Sequence, residues 1–143
     1  MKYYGKISLA DPLTRLMINT LKAIPPIDLI MPVPLHATRL RTREYNQALL
    51  LAHRLSAHID IPLNYRTLIR TRETTPQTGL SRHDRLKNLR RCFAVTSPQA
   101  ITEKNILLID DVFTTGTTVN ECAKTLRKAG SGNVYVVTLA RIL

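Results

Sequence analysis

The sequence predicts an α/β fold, a mainly parallel sheet flanked by helices, in a single domain spanning residues 1–143. Two observations support this. Short apolar segments alternate with segments whose apolar residues recur at helical spacing, and this alternation is typical of parallel sheets. The length of 143 residues also suits one hydrophobic core, and the chain contains no repeats or flexible linkers.

The first helix is marked at both ends. Asp11-Pro12 supplies an N-cap followed by a proline suited to the first helical position, and Pro25-Pro26 ends the helix. Apolar periodicity and turn residues mark the other elements. In chain order we predict a helix over 12–24, a strand over 28–33, a helix over 42–58, a strand over 62–69, a loop over 70–80, a helix over 81–91, a strand over 105–110, a helix from 117 that ends at Gly130, and a strand over 133–142.

Composition narrows the class of protein. Apolar content is 44%, and no apolar run reaches the ~20 residues that a membrane helix needs. The first twelve residues are too polar for a signal peptide, so we expect a cytoplasmic protein without a membrane segment. The two cysteines and four histidines show no metal-ligand spacing, and we expect no Cys/His-bound metal.

Positive charge is concentrated in the middle of the chain. The formal net charge is +11, and residues 39–91 contain twelve Lys/Arg against four Asp/Glu. A field of this kind attracts polyanions, either phosphate-rich small molecules or nucleic acid, although a solvated basic face would have the same composition.

The segment ILLIDDVFTTGTT, residues 106–118, has the strongest chemical signal. The segment could be a helix cap, but a cap needs only one acid and this segment has two. It could also be the acidic strand of a nucleotide hydrolase, but the sequence lacks the companion G-x-x-x-x-G-K-[ST] loop. A sugar-phosphate site explains all of its parts. Carboxylates accept hydrogen bonds from a vicinal diol, and a glycine at a helix start lets backbone N–H groups approach a phosphate. A ligand with both features is a ribose 5-phosphate.

This segment resembles the phosphoribosyl pyrophosphate (PRPP) motif of type I phosphoribosyltransferases. The resemblance implies that family's fold, and it implies that the two acids hold the ribose hydroxyls and act as the catalytic pair. The following loop would bind the 5-phosphate. The implied residues are Asp110 and Asp111 for the ribose, and Thr114, Thr115, Gly116, Thr117 and Thr118 for the phosphate.

Two other segments are similar to the ComF (GntX) branch of that family. They are VPLHATRLRTREYNQALLLA, residues 33–52, and RTRETTPQTGLSRHDRLKNLRRCF, residues 70–93. Glu44 stands where that branch usually has glycine. Many ComF-like proteins begin with a four-cysteine zinc ribbon. This sequence has no such segment, so we expect no zinc.

The resemblance also implies the remaining ligand contacts. Mg²⁺ is the expected cofactor, held through the substrate and by Asp110 and Asp111, since hard cations prefer oxygen ligands. Cations around the pyrophosphate would stabilise the leaving group. The residues implied for pyrophosphate binding are Pro34, Leu35, His36, Arg39, Arg70, Arg72 and Arg85.

Two functions are expected from these features. The first is transfer of phosphoribosyl from PRPP, with pyrophosphate release, to an unidentified acceptor, in a pathway of DNA uptake or competence. Thr114 argues against a 6-oxopurine acceptor, because relatives acting on those bases have aspartate there. The alternative is a non-catalytic, basic competence accessory protein that binds single-stranded DNA. Proteins of this fold are often dimers, so a homodimer is also an expectation.

Overall fold

The structure, a computed structural model, describes residues 12, 14–35, 46–72, 81–113 and 116–141. In the described residues the chain alternates between strands and helices, as the sequence predicts. In chain order they are α1 (14–21), β1 (Leu29–Pro32), α2 (Gln47–Ile59), β2 (Leu68–Arg70), α3 (Arg82–Leu89), β3 (Phe93–Val95), a 3₁₀ turn (Pro98–Ala100), β4 (Ile106–Phe113), α4 (Thr117–Lys128) and β5 (Val134–Arg141).

The main sheet contains three parallel strands in the order β1-β4-β5. Its central strand, β4, begins with four residues, 106–109, whose side chains are fully buried, because helices cover both faces. In the register, Pro32 lies opposite Ile109 and Asp110 lies opposite Thr138. The carboxyl ends of the strands therefore share one edge of the sheet, where ligands bind in folds of this class. The predicted α/β class with a parallel sheet is confirmed.

Two apolar clusters, one on each face of the sheet, form the core. Alternate residues of β4 point to opposite faces, so Leu108 packs with Leu126 of α4, whereas Leu107 packs with Leu55 of α2. Burying each such side chain contributes about 1.5–3 kcal/mol. Both clusters contain β4, so they hold that strand and the residues that follow it in a fixed position.

The predicted strand over 62–69 is wrong in extent. Leu63 makes only an isolated bridge to Ile30, and the chain then turns at Asn64, whose Oδ1 accepts hydrogen bonds from the N–H groups of Arg66 and Thr67. Such local side-chain bonds compete with a strand ladder. The strand proper, β2, runs antiparallel to β3, a strand that the sequence analysis missed, and it includes Arg70, which was assigned to a loop.

Helix ends are set by local capping. Asn46 caps α2 by accepting hydrogen bonds from the N–H groups of Ala48 and Leu49, at 2.9 and 3.3 Å, and Asp60 ends the helix in the left-handed region. The predicted start of this helix at residue 42 is wrong, because Asn46 has extended backbone angles and the helix begins at Gln47. Helix α4 ends at Lys128, two residues before the predicted Gly130, whose positive φ of 103° stops helical continuation.

Candidate functional site

Asp110 and Asp111 lie in the carboxyl-terminal half of β4, although the sequence predicted a strand ending at residue 110. The strand continues because Val112 and Phe113 still pair with β5. Consecutive strand residues point to opposite faces, so Asp110 lies on the α4 side of the sheet with Leu108. Its Oδ1 accepts a 2.9 Å hydrogen bond from the backbone N–H of Asp111. Both side chains are half-buried.

Asp110 lies in an environment that disfavours its charge. Burial, together with the hydrogen bond and negative charge of the Asp111 side chain, raises the pKa of its carboxyl from 3.8 to about 7, against a smaller lowering by the backbone N–H of Asp111. Burial also raises the pKa of the Cys122 thiol, and the charge of Asp110 adds to that rise while Arg70 opposes it. These mutual effects place Asp110, Cys122 and Arg70 in one neighbourhood beside the first turns of α4.

The predicted phosphate loop leads into α4. Gly116 stands at the N-cap position with φ 78° and ψ 1°, a left-handed conformation that favours glycine. Thr117, only 6% exposed, and the half-buried Thr118 begin the helix. The first N–H groups of a helix have no intrahelical acceptors and carry its positive dipole end, so they suit an anion. Thr114 and Thr115 lie outside the described residues.

The segment after β1 runs beside the two acids. The N–H of Val33 donates to the carbonyl of Ile109 at 2.8 Å, next to Asp110, and Asn46 Nδ2 donates to the carbonyl of Val33 at 3.2 Å. Asn46 thus ties this segment to the start of α2, a role that the sequence analysis did not assign to it. Pro34 and Leu35 line an adjoining cavity of about 260 Å³. His36 and Arg39 fall outside the described residues.

The arginines predicted for pyrophosphate binding lie in different places. Arg70 lines the 260 Å³ cavity, with its guanidinium carbon 5.5 Å from the centroid of the Phe93 ring. Arg72 instead lines a second cleft of about 540 Å³ on the α4 side, and its Nε and Nη2 contact Cys92 Sγ and the Arg90 carbonyl at 3.2 and 2.8 Å. Arg85 lies on α3. The structure therefore brings Arg70, and not Arg72, to the side of Pro34 and Leu35.

The described part of the chain contains no cluster of metal-binding side chains and no helix suited to cross a membrane. There, no three His, Cys, Asp or Glu side chains lie together as a metal site, and Cys92 and Cys122 are both buried. The absence of a zinc ribbon stays a prediction. Within the same ranges no helix combines the length and apolar character needed to cross a bilayer.

Known proteins similar to this chain point to one family. The Phosphoribosyl transferase domain family matches residues 46–141. "Competence protein F" of Haemophilus influenzae is 43% identical over 113 residues, which are 78% of this chain and 49% of that protein. "DNA utilization protein YhgH" of Salmonella typhi is 32% identical over 149 residues, covering 100% of this chain and 65% of that protein. The chain thus spans about half to two thirds of these relatives' lengths.

The fold is also that of a solved phosphoribosyltransferase. The crystal structure of adenine phosphoribosyltransferase from Thermoanaerobacter pseudethanolicus matches with a TM-score of 0.62 at 12% identity, over 95% of this chain and 82% of that one. The family match extends from the cap of α2 through the acids of β4 and the start of α4 to the end of β5. The chain therefore belongs to the phosphoribosyltransferase family, with the type I fold, in the ComF branch.

Proposed function

We propose that this protein binds PRPP with Mg²⁺ and transfers its phosphoribosyl group to an unidentified acceptor, releasing pyrophosphate, in the cytoplasm. One observation carries the proposal. Two adjacent carboxylates lie near the carboxyl end of the central parallel strand, and a left-handed glycine at the start of a helix follows five residues after the second acid. Acceptors for a diol that are followed along the chain by donors for a phosphate support this proposal.

The ribose would lie against Asp110 and Asp111. With a pKa of about 7, Asp110 is partly protonated at neutral pH, and a diol that donates hydrogen bonds to its ionised form would draw its proton off. The 5-phosphate would accept hydrogen bonds from the first N–H groups of α4, where Gly116 has no Cβ to obstruct it. Holding the sugar at both ends fixes the position of C1 for attack.

The leaving pyrophosphate would lie near Pro34, Leu35 and Arg70. During transfer the bond from C1 to the pyrophosphate oxygen breaks, a bond from C1 to the acceptor forms, and negative charge grows on the pyrophosphate. The guanidinium of Arg70, at the wall of the 260 Å³ cavity, suits that charge. Mg²⁺, when bound, would neutralise pyrophosphate charge, and the carboxylate oxygens of Asp110 and Asp111 are ligands of the type that it prefers.

The biological setting is proposed from the relatives. The names of these relatives refer to competence and to DNA utilization, and they support a role in DNA uptake for this chain as well. The second candidate is a non-catalytic accessory protein that retains the PRPP fold and binds single-stranded DNA, and the net charge of +11 favours it. We propose a homodimer only because proteins of this fold are often dimers, and sedimentation velocity would test this.

Release of pyrophosphate from PRPP–Mg²⁺ in the presence of a panel of nucleobases tests the catalytic proposal. We expect release by the wild type with one acceptor, and loss of release in Asp110→Asn/Asp111→Asn. Asp60→Asn is the matched control, because Asp60 is exposed and its left-handed conformation is one that asparagine also adopts. Equal release by the double variant would contradict the proposal, and PRPP binding without release would favour the accessory role.

A further inference from the structure

A basic cleft lies on the α4 side of the sheet, between the end of β2, the turn after α3 and helix α4. It has a volume of about 540 Å³ and is lined by five cationic side chains and one acidic one: Arg72, Arg90, Arg91, Lys124, Lys128 and Glu121. All five cations are exposed, whereas Glu121 is half-buried. A neighbouring cavity of about 400 Å³ adds His83 and Lys87 and shares Arg90, Glu121 and Lys124 with it. The whole surface is therefore positive and open to solvent.

Hydrogen bonds to backbone carbonyls hold Arg72 and the turn that carries Arg90 and Arg91. Arg72 donates through Nη2 to the Arg90 carbonyl, and Thr71 Oγ1 donates to the Arg91 carbonyl at 3.3 Å. Arg91 has φ 57°, a conformation that costs a residue with a Cβ roughly 1–2 kcal/mol. The contacts from Arg72 and Thr71 keep the turn in this shape, so the backbone that carries the two consecutive arginines is fixed beside the cleft.

The lining of the cleft does not include the acids or the helix start of the proposed PRPP site. Glu121, Lys124 and Lys128 are spaced by three and four residues, so they share one face of α4. Thr117 begins the helix, and Glu121, Lys124 and Lys128 lie roughly 6, 10 and 16 Å further along its axis at 1.5 Å per residue. Neither Asp110 nor Asp111 lines the cleft. A ligand could therefore occupy the cleft without contacting the ribose pair.

Ordinary helix stabilisation explains only part of this arrangement. Arg90 and Arg91 follow the end of α3, and Lys128 ends α4, where cations favour the helix dipole. In the 3.3 Å pair of Lys124 with Glu121 the lysine is exposed, and solvent around it limits what the pair contributes to stability. Neither the helix dipole nor the Lys124–Glu121 pair requires cations from the end of β2, the turn after α3 and the face of α4 to line the same cleft. The repulsion among these cations disfavours such an arrangement.

We propose that this cleft, defined by Arg72, Arg90, Arg91, Lys124 and Lys128, binds the phosphodiester backbone of nucleic acid, at a site separate from the PRPP site. Adjacent phosphates carry one charge each, so a strand supplies the repeated anions that several fixed cations need. No aromatic side chain lines the cleft in the described residues, so base stacking should contribute little and binding should be independent of base sequence.

The test is fluorescence anisotropy of a labelled twenty-nucleotide oligothymidylate, titrated with protein between ~50 and ~200 mM salt. The variant Arg90→Gln/Lys124→Gln/Lys128→Gln removes three cations of the cleft. The control Arg15→Gln/Lys22→Gln/Lys104→Gln removes three exposed cations outside it, two of them in or next to α1 on the opposite face of the sheet. Circular dichroism and PRPP–Mg²⁺ calorimetry on both variants show whether fold and PRPP site are intact.

We expect the cleft variant to bind the oligonucleotide at least ~10-fold more weakly at ~50 mM salt, with a salt slope smaller by about 2, since each single-strand contact contributes about 0.7. The control should bind within about 2-fold of the wild type. Saturating PRPP–Mg²⁺ should leave oligonucleotide binding unchanged. Equal weakening by both variants, displacement by PRPP, no binding by the wild type, or displacement by poly-glutamate at equal charge would each overturn the proposal.

Discussion

Replacing Asp110 by asparagine should stabilise the protein at neutral pH and above. The ordinary carboxyl pKa is 3.8, and that of Asp110 in the fold is about 7. Between these values the folded chain holds a proton that the unfolded chain releases, so this residue's contribution to stability falls as pH rises through that window. Asparagine has the same shape, stays neutral, and retains an oxygen that can accept the hydrogen bond from the Asp111 N–H.

The size of the effect follows from linkage. A shift of one unit corresponds to ~1.4 kcal/mol, so the full shift from 3.8 to about 7 would cost about 4 kcal/mol above pH 7. The side chain is only half-buried, and solvent screening reduces this cost to about 2 kcal/mol. Part of this cost is already present at pH 5, because the unfolded carboxyl, with its pKa of 3.8, is ionised there. We therefore expect the free energy of unfolding of Asp110→Asn, relative to wild type, to rise by about 1 kcal/mol between pH 5 and pH 8.

Urea unfolding at pH 5 and pH 8, followed by circular dichroism, measures this difference. Asp60→Asn, at an exposed position, reports what removing a carboxylate does to a chain of net charge +11 in general. The reasoning would be refuted if Asp110→Asn gained no more stability than this control between the two pH values, or if it were less stable than wild type at pH 8. A confirmed gain would mean that Asp110 costs stability, as ligand-binding residues often do.

Three other substitutions or treatments test the surroundings of the site. Gly116→Ala should lower the free energy of unfolding by about 1–2 kcal/mol in urea titration, because alanine is strained at φ 78°; an unchanged midpoint would contradict this. Asn46→Ala should cost a similar amount through loss of the helix cap and of the bond to the Val33 carbonyl, whereas Asn46→Asp should recover only the part due to the cap, because a carboxylate cannot donate to that carbonyl; equal losses would exclude capping as the cause. Cys122 should react with a chromogenic disulfide reagent only when the chain unfolds, since its thiol is buried with a raised pKa, and rapid labelling in native buffer would show that it is accessible.

The sequence was most informative where apolar pattern and chemistry coincide. The run from Ile106 to Ile109 predicts a buried parallel strand, and β4 is the central strand with both faces covered. The acids that follow it were predicted to mark its end, but β5 pairing continues to Phe113. Pairing partners lie far away in the chain, so no local pattern could show this extension.

The pairing of β2 with β3 and the basic cleft could not be predicted from the sequence, for related physical reasons. β2 and β3 have three residues each, too few for an alternation to be recognised, and their pairing joins Leu68 to Val95 across 27 positions. The charge excess was visible over 39–91, but the cleft also needs Lys124 and Lys128, outside that window. Only the fold brings these cations together and separates Arg72 from Arg70.

Calorimetric titration with PRPP and Mg²⁺ tests the central claim most directly. We expect saturable binding by the wild type and by Asp60→Asn, and loss of that binding in Asp110→Asn/Asp111→Asn. Circular dichroism should show that the double variant is folded. Binding of the double variant as tight as that of the wild type would contradict the claim that these two carboxylates hold the ribose of PRPP.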